Sequence, residues 1–306
     1  MRLANKSDKE AILNFWTVCF GADMRYQNIL TATDYPLKNT YVLEDGKEIV
    51  SIMTLLPAEW QGKGEIRKGS YVYGVATLPK HRGKGYSRKL MKEALEMLAA
   101  DGQDFAVLYP AEESLQEFYA QQGFVHCGKQ LELEVSEEQQ EQWLDTVDEY
   151  TDKGWELEPI ESGKEYEEIR HALLAKSCGD KGEGYFTFSA DHYAYNHNEA
   201  GYYGGGLCKI CVDGEPVAIA GMWPSGGNSP WEKGKVIIKE LLCAEEHREG
   251  ALAILSEFAG DKSLYLGLPA WETMEGAEEV PFGMIKWLKE CRKVEMSDSY
   301  LSLVVD

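Results

Sequence analysis

Positive charge is in short supply in this sequence: 31 lysines and arginines stand against 52 aspartates and glutamates, a net charge of −21. A chain this acidic repels polyanions, which excludes nucleic acid as its bulk partner and favours a cationic one. Long apolar runs are missing as well. The opening MRLANKSDKEAIL lacks the basic-then-apolar order of a secretion signal, and no stretch approaches the roughly 20 apolar residues of a membrane span. A cytoplasmic protein with no membrane partner is expected. Cysteines number seven, an odd count spread thinly, so free thiols are expected rather than a disulfide framework. Cys208 and Cys211 form the one close pair, but they precede DGEPVAIAG as a hairpin strand would, and three positions apart on a strand two side chains face opposite ways. With no second pair to complete a zinc set, no metal site is expected.

What is present is enough apolar sequence, 44% of 306 residues, for two ordinary domains. Ser7-Asp8-Lys9-Glu10 resembles a capping box, and Ile12, Leu13, Phe15, Trp16 and Phe20 follow at helical spacing. TYVLEDGKEIVSIMTLLPAEW reads as a hairpin turning at Asp45-Gly46, and EIRKGSYVYGVATL as the next strand. From Gly83 to Ala100 one face carries Leu90, Met91, Ala94, Leu95 and Leu98, a helix ending near Gly102. FAVLYP is a buried strand, SLQEFYAQQGF a short helix and LELEV a closing strand. Residues 1–135 therefore make one domain, and the acidic segment 136–165 a linking helix. In residues 166–306 the same order returns, with the hairpin LCKICVDGEPVAIAGMW, the strand GKVIIKELLCA, the helix GALAILSEFA and the strand SLYLGLPA, which suggests an internal duplication. The fold class is α/β (α+β), two tandem domains, each a mixed sheet flanked by helices. The aromatic run YFTFSADHYAYNHNEAGYYGGG reads as a strand and loop packed on a neighbour, with an amine-binding aromatic wall as the alternative.

Against the acidic background, VATLPKHRGKGYSRKLMKEAL is basic, with Lys80, Arg82, Lys84, Arg88, Lys89 and Lys92 and no acid before Glu93. A strand entering a glycine turn and then a helix presents unpaired N–H groups backed by the helix dipole, a seat for a pyrophosphate. The P-loop is excluded because its second Gly-Lys is missing, and the dinucleotide fingerprint because Arg88 stands at its sixth position.

Arg82-Gly83-Lys84-Gly85-Tyr86-Ser87 resembles the acyl-CoA signature of the GCN5-related N-acetyltransferases, which is Arg or Gln, two residues, Gly, one residue, then Gly or Ala; Ser87 is a small-for-small departure. GVATLPKHRGKGY and LYPAEESLQEFYAQQGF extend the resemblance over about the first 135 residues. More narrowly, the chain is similar to the enhanced-intracellular-survival branch, in which an active domain precedes a degenerate one. ELLCAEEHREGALAIL occupies the matching place in the second half: Arg248 survives, but Glu249 and Ala251 replace the glycines and Glu245 and Glu246 add repulsion, so no CoA is expected there. Longer members carry a sterol-carrier-like third domain, before which the sequence stops.

The resemblance implies acetyl-CoA as cosubstrate, held by backbone groups of Val75, Ala76 and Thr77 along the pantetheine and by Arg82, Gly83, Lys84, Gly85, Tyr86, Ser87 and Arg88 at the pyrophosphate, with Ser114 touching the arm. Gly74 is where a bulge would open the sheet. Tyr119 corresponds to the general acid for the departing thiolate. Glu59 and, through the terminal carboxylate of branch members, Asp306 are the candidate bases, with Tyr71 and Tyr73 nearby. The implied activity is acetyl transfer to a primary amine of a cationic small molecule or a lysine side chain; the alternative is a CoA-binding sensor or scaffold without turnover. Oligomeric state stays open, a homo-oligomer included.

Overall fold

A computed structural model describes residues 1–62, 64–179, 184–224, 234–289 and 299–302, and its first turn departs from the sequence pattern. The capping residue is Asn5 rather than Ser7: Asn5 Oδ1 accepts the Ser7 N–H at 2.8 Å, and Asp8 Oδ2 accepts the Asn5 N–H at 2.8 Å. Asp8 is fixed in that role because Arg2 donates to both of its oxygens, at 2.6 and 3.0 Å. The Arg2 guanidinium also holds the Asp8 carboxyl below its ordinary range. A lowered acid pKa stabilises the fold above the unfolded value and loses that contribution as pH falls through the folded one. Asp8→Asn is therefore expected to flatten the fall of Tm between about pH 5 and pH 2, which thermal scans across that range check.

The chain begins with β1 (Arg2–Leu3), α1 (Lys9–Phe20), α2 (Met24–Thr33), α3 (Tyr35–Lys38), β2 (Thr40–Asp45), β3 (Glu48–Gly62), β4 (Glu65–Thr77), α4 (Tyr86–Ala100), β5 (Phe105–Leu108), α5 (Ser114–Ala120) and β6 (Val125–His126). It continues with β7 (Lys129–Glu134), α6 (Glu137–Leu144), α7 (Val147–Thr151), β8 (Trp155–Pro159), α8 (Gly163–Gly179), β9 (Tyr185–Phe188) and α9 (Ala190–Tyr202). Then follow β10 (Gly206–Val212), β11 (Glu215–Pro224), β12 (Lys235–Cys243), α10 (Arg248–Ala259), β13 (Ser263–Pro269), β14 (Glu278–Pro281) and β15 (Met284–Trp287).

Two compact units result. Unit one comprises residues 1–128 and the stretch from Phe282 that carries β15; unit two begins at Lys129, runs to Pro281 and takes in residues 299–302. The sheet of unit one runs β1-β2-β3-β4-β5-β15-β6, antiparallel except for the parallel pair β4/β5. The sheet of unit two runs β14-β7-β13-β12-β11-β10-β8, again with one parallel pair, β12/β13. The fold is two tandem mixed sheets with helices, as expected, but the division differs from 1–135, 136–165 and 166–306. β7, the LELEV strand, pairs with β13 and β14 in the second sheet. Residues 136–165 supply α6, α7 and β8 rather than a linking helix, and Leu133, Val135 and Trp155 lie in the core of unit two. The aromatic run also differs: after β9 it coils into α9, whose buried His192, Tyr193, Tyr195, Asn196, Glu199 and Ala200 recur at helical rather than strand spacing.

In unit one the face of α4 formed by Leu90, Met91, Ala94, Leu95 and Leu98 packs against Leu43, Val50, Met53, Leu55 and Val72 of the sheet and Met284 of β15. Each large apolar side chain buried this way contributes about 1.5–3 kcal/mol. Charge is distributed unevenly along the chain: residues 129–281 hold 32 acidic and 12 basic residues, and the remainder 20 and 19, of the 52 and 31 in the whole. The unit with the basic turn is thus close to neutral, and the acidity is concentrated in the other. No helix among the described residues is long and apolar enough to cross a membrane.

Candidate functional site

Along β4 the sheet opens. β4 pairs with β5 only at Gly69↔Phe105, Ser70↔Ala106 and Tyr71↔Val107, and β5 stops at Leu108. Residues 72–77 of β4 thus have no paired strand on that side among the described residues. On the other side, the register with β3 jumps from Thr54↔Tyr73 to Ile52↔Ala76, leaving Gly74 and Val75 opposite Met53. Gly74 has φ 58°, where a side chain is strained, and a Cβ there would lie 3.2 Å from the Trp16 ring. This is the expected bulge, and it twists the end of β4 away from β5. Ser51 pins the freed end, donating to the Ala76 carbonyl at 2.7 Å and sharing a 2.9 Å hydrogen bond with Thr77.

A cavity of about 300 Å³ crosses this open edge. Val75, Ala76 and Thr77 form its floor; Arg82, Gly83, Gly85, Tyr86 and Ser87 line one end; Tyr119 lies on the wall formed by α5. Gly83 and Gly85 have φ of 78° and 79° and nothing within 4 Å of a built Cβ, so the turn exposes its backbone. The turn is held from outside by the β2–β3 hairpin: Tyr86 donates to Asp45, and Glu48 receives Lys80 and, at 3.2 Å, His81. The Lys80 ammonium keeps the Glu48 carboxyl below its ordinary range. Burial pushes the Tyr119 phenol up to about 12, so it keeps its proton at neutral pH.

Most of the residues singled out in the sequence meet at this cavity, and some do not. Lys84, Arg88 and Ser114 are not among its lining: Arg88 donates to Gln121 at 3.0 Å and Ser114 to Glu112 at 3.1 Å. Glu59 is a correction. It pairs across the hairpin with Lys68, six residues along β3 from Met53, which faces the bulge, or about 20 Å at the rise of a strand, too far to take a proton there directly. Asp306 lies outside the described residues. Tyr73 is buried against Trp16, and its hydroxyl is 3.5 Å from that of Tyr26. Sequence reasoning missed Cys19, Phe20, Leu115 and Phe118, which complete the cavity. Cys19 and Phe20 end α1 and look like any helical apolar positions; only tertiary packing aims them. Among the described residues no group of three or more His, Cys, Asp or Glu is placed to hold a metal ion. Cys208 sits in the core of unit two, while Cys211 lies beside Glu158.

Unit two repeats this strand-turn-helix and closes it. The turns Pro79–His81 and Glu245–His247 are each secured by a histidine N–H, from His81 to the Leu78 carbonyl and from His247 to that of Ala244, and each is followed directly by an arginine, Arg82 or Arg248. Unit one then spends residues 82–85 before α4 starts; α10 starts at Arg248 itself, so the basic glycine loop has no counterpart. Arg248 is engaged by Glu272, and a Cβ at Gly250 would lie 2.6 Å from the Trp155 ring, so that face of the helix start is covered. Counting back, Glu240 falls where unit one has Gly74. It is wholly buried, with Arg170 Nε at 3.1 Å from both of its oxygens and the Tyr166 hydroxyl at 2.9 Å.

An α/β unit whose sheet parts beside a bulged strand, above a basic glycine turn at a helix start, has the construction of an acyltransferase domain. Residues 1–127 match the family model described as "Acetyltransferase (GNAT) domain". Solved structures agree on the fold over both units. A GCN5-related N-acetyltransferase from Anabaena variabilis is 14% identical with a TM-score of 0.70, covering 95% of this chain and 73% of its own. One from Kribbella flavida is 13% identical with a TM-score of 0.67, covering 94% and 71%. Eis1 from Mycobacterium abscessus is 12% identical with a TM-score of 0.61, covering 94% and 73%. Among curated proteins none matches the sequence.

Proposed function

We propose that unit one transfers the acetyl group of acetyl-CoA to a primary amine of a cationic small molecule or a lysine side chain, by direct attack in a ternary complex. The observation that carries this reading is one cavity joining the basic glycine turn, the freed edge of β4 and the Tyr119 phenol. The N–H groups of residues 83–88 and the Arg82 side chain suit a pyrophosphate. The N–H groups of Val75 and Thr77, on the side of β4 that carries no paired strand, suit the amides of the pantetheine arm and the thioester oxygen, on which negative charge develops. The amine nitrogen bonds to the carbonyl carbon, the C–S bond breaks, Tyr119 gives its proton to the leaving sulfur, and the proton shed by the nitrogen returns through solvent to the phenolate. The acidity of residues 129–281 favours a cationic acceptor through long-range attraction.

Two measurements test this. Thiol release from acetyl-CoA should occur with at least one member of a panel of lysine peptides, polyamines and aminosugars; CoA binding with no release from any of them would leave a binding protein. Arg82→Ala should weaken CoA binding about tenfold in calorimetry and lessen its salt dependence. Binding unchanged by that substitution would move the pyrophosphate elsewhere.

A further inference from the structure

Two carboxylates stand beside the basic turn, where charge alone would keep acids away from the seat of an anion. Asp45 ends β2 and Glu48 begins β3, and the two face each other directly across the hairpin loop of Gly46 and Lys47. Directly opposite residues of an antiparallel pair project from the same face of the sheet, and like charges in that position destabilise the hairpin. The basic turn offsets this. Glu48 takes the Lys80 ammonium and, at 3.2 Å, His81 Nε2, while Asp45 takes the Tyr86 hydroxyl. The chain leaves β4 beside these acids, because the Leu78 N–H donates to the Val50 carbonyl at 3.3 Å.

These contacts fall at both ends of the stretch whose backbone is bared. Residues 82–85 lie between His81 and Tyr86, and Gly83 and Gly85 have nothing within 4 Å of a built Cβ, so packing does not fix them. Arg82 is tied at its own position, its N–H to the Pro79 carbonyl at 3.3 Å and its Nε to the Thr77 carbonyl at 3.2 Å. The glycines beyond it are held only through their flanks. Glycine loses more conformational freedom on ordering than any other residue, and a loop that must be ordered by its ligand lowers the ligand's affinity. Holding both flanks beforehand removes part of that loss. His81 and Tyr86 line the cavity and the two acids do not, so Asp45 and Glu48 can act on a ligand's position only through the residues they hold.

We infer that Asp45 and Glu48 are positioning residues for the cosubstrate, which hold the glycine turn by its two flanks in the shape that receives the pyrophosphate. The inference rests on the acyl-CoA seat of the proposed function and adds the residues that keep that seat formed. It also fixes a sign. A carboxylate near a pyrophosphate repels it, so if charge decided, removing the acids would tighten binding, most of all at low salt. If position decides, removing them weakens it.

The test is calorimetry of CoA on the full chain, for the wild type and for Asp45→Ala, Glu48→Ala, the two combined, Glu48→Asp and Tyr86→Phe. Each single alanine change is expected to raise Kd about threefold, since one exposed ion pair contributes little, and the combination about tenfold. Tyr86→Phe should match Asp45→Ala, and joining those two should add nothing, because they break the same contact. Glu48→Asp, which keeps the charge, should recover part of the loss. In turnover the loss should appear in KM for acetyl-CoA, with kcat within about twofold, a split that general damage to the fold would not produce. Melting temperatures should stay within about 3 °C of the wild type; if the combined variant falls further, Tyr86→Phe alone carries the test. Binding that is unchanged or tighter in the combined variant, or unchanged in Tyr86→Phe, overturns the inference. Absence of CoA binding by the wild type falls instead on the seat itself and takes the inference with it.

Discussion

Tyr119→Phe is expected to lower kcat by about a hundredfold or more while acetyl-CoA affinity stays within a factor of about two. The phenol lies on the cavity wall, packed edge-on between Phe118 and Phe124, so losing one oxygen leaves the ring and its packing in place. What is lost is the proton for the departing sulfur. Burial pushes this phenol up to about 12, and a tyrosine is the proton-bearing form below its pKa. The acid therefore remains loaded through the alkaline range, and kcat should show no falling limb between about pH 8 and pH 10. Steady-state kinetics across that range, with calorimetry for acetyl-CoA, checks both statements. A loss confined to KM would remove Tyr119 from the acid role.

The other large effect is on stability and belongs to unit two. Arg170→Ala or Glu240→Ala should each cost about 3–5 kcal/mol, because each leaves the partner charge in a place where water does not reach. Arg170 Nη1 also donates to the Phe186 carbonyl at 3.0 Å, so its removal orphans a backbone acceptor as well. Replacing both at once, Arg170→Met with Glu240→Leu, should cost far less than the two single changes together, since no lone charge remains. Denaturant titrations of the four proteins decide it. A single variant costing under about 1 kcal/mol would mean that water reaches the pair.

Local chemistry made much of unit one legible before any coordinates. Gly74, Gly83 and Gly85 stand where backbone must turn or be bared, and α4 announces its buried face through Leu90, Met91, Ala94, Leu95 and Leu98. What the sequence could not disclose depends on distant partners. α2 and α3, with few strong signals of their own, were not anticipated. Glu59 lies far along the β3–β4 hairpin from the bulge, which one-dimensional distance does not disclose. The alternation of LELEV identifies a strand but not which sheet receives it, since neighbouring strands are recognised by register and packing rather than by proximity in the chain. Phe20 was visible as a helical apolar residue and invisible as a cavity wall.

β15 has a consequence for how the molecule is made. It fills the slot between β5 and β6, pairing with both, and its Met284 enters the core beneath α4. During synthesis the acyltransferase unit must wait, with an unpaired gap in its sheet, until more than 150 further residues have left the ribosome and β15 arrives. Unit two, which begins at β7 and ends its sheet at β14, has all of its strands first. The sheet of the half that lacks the basic glycine turn is thus synthesised entire before that of the half that has it, although residues 299–302 of unit two come after both.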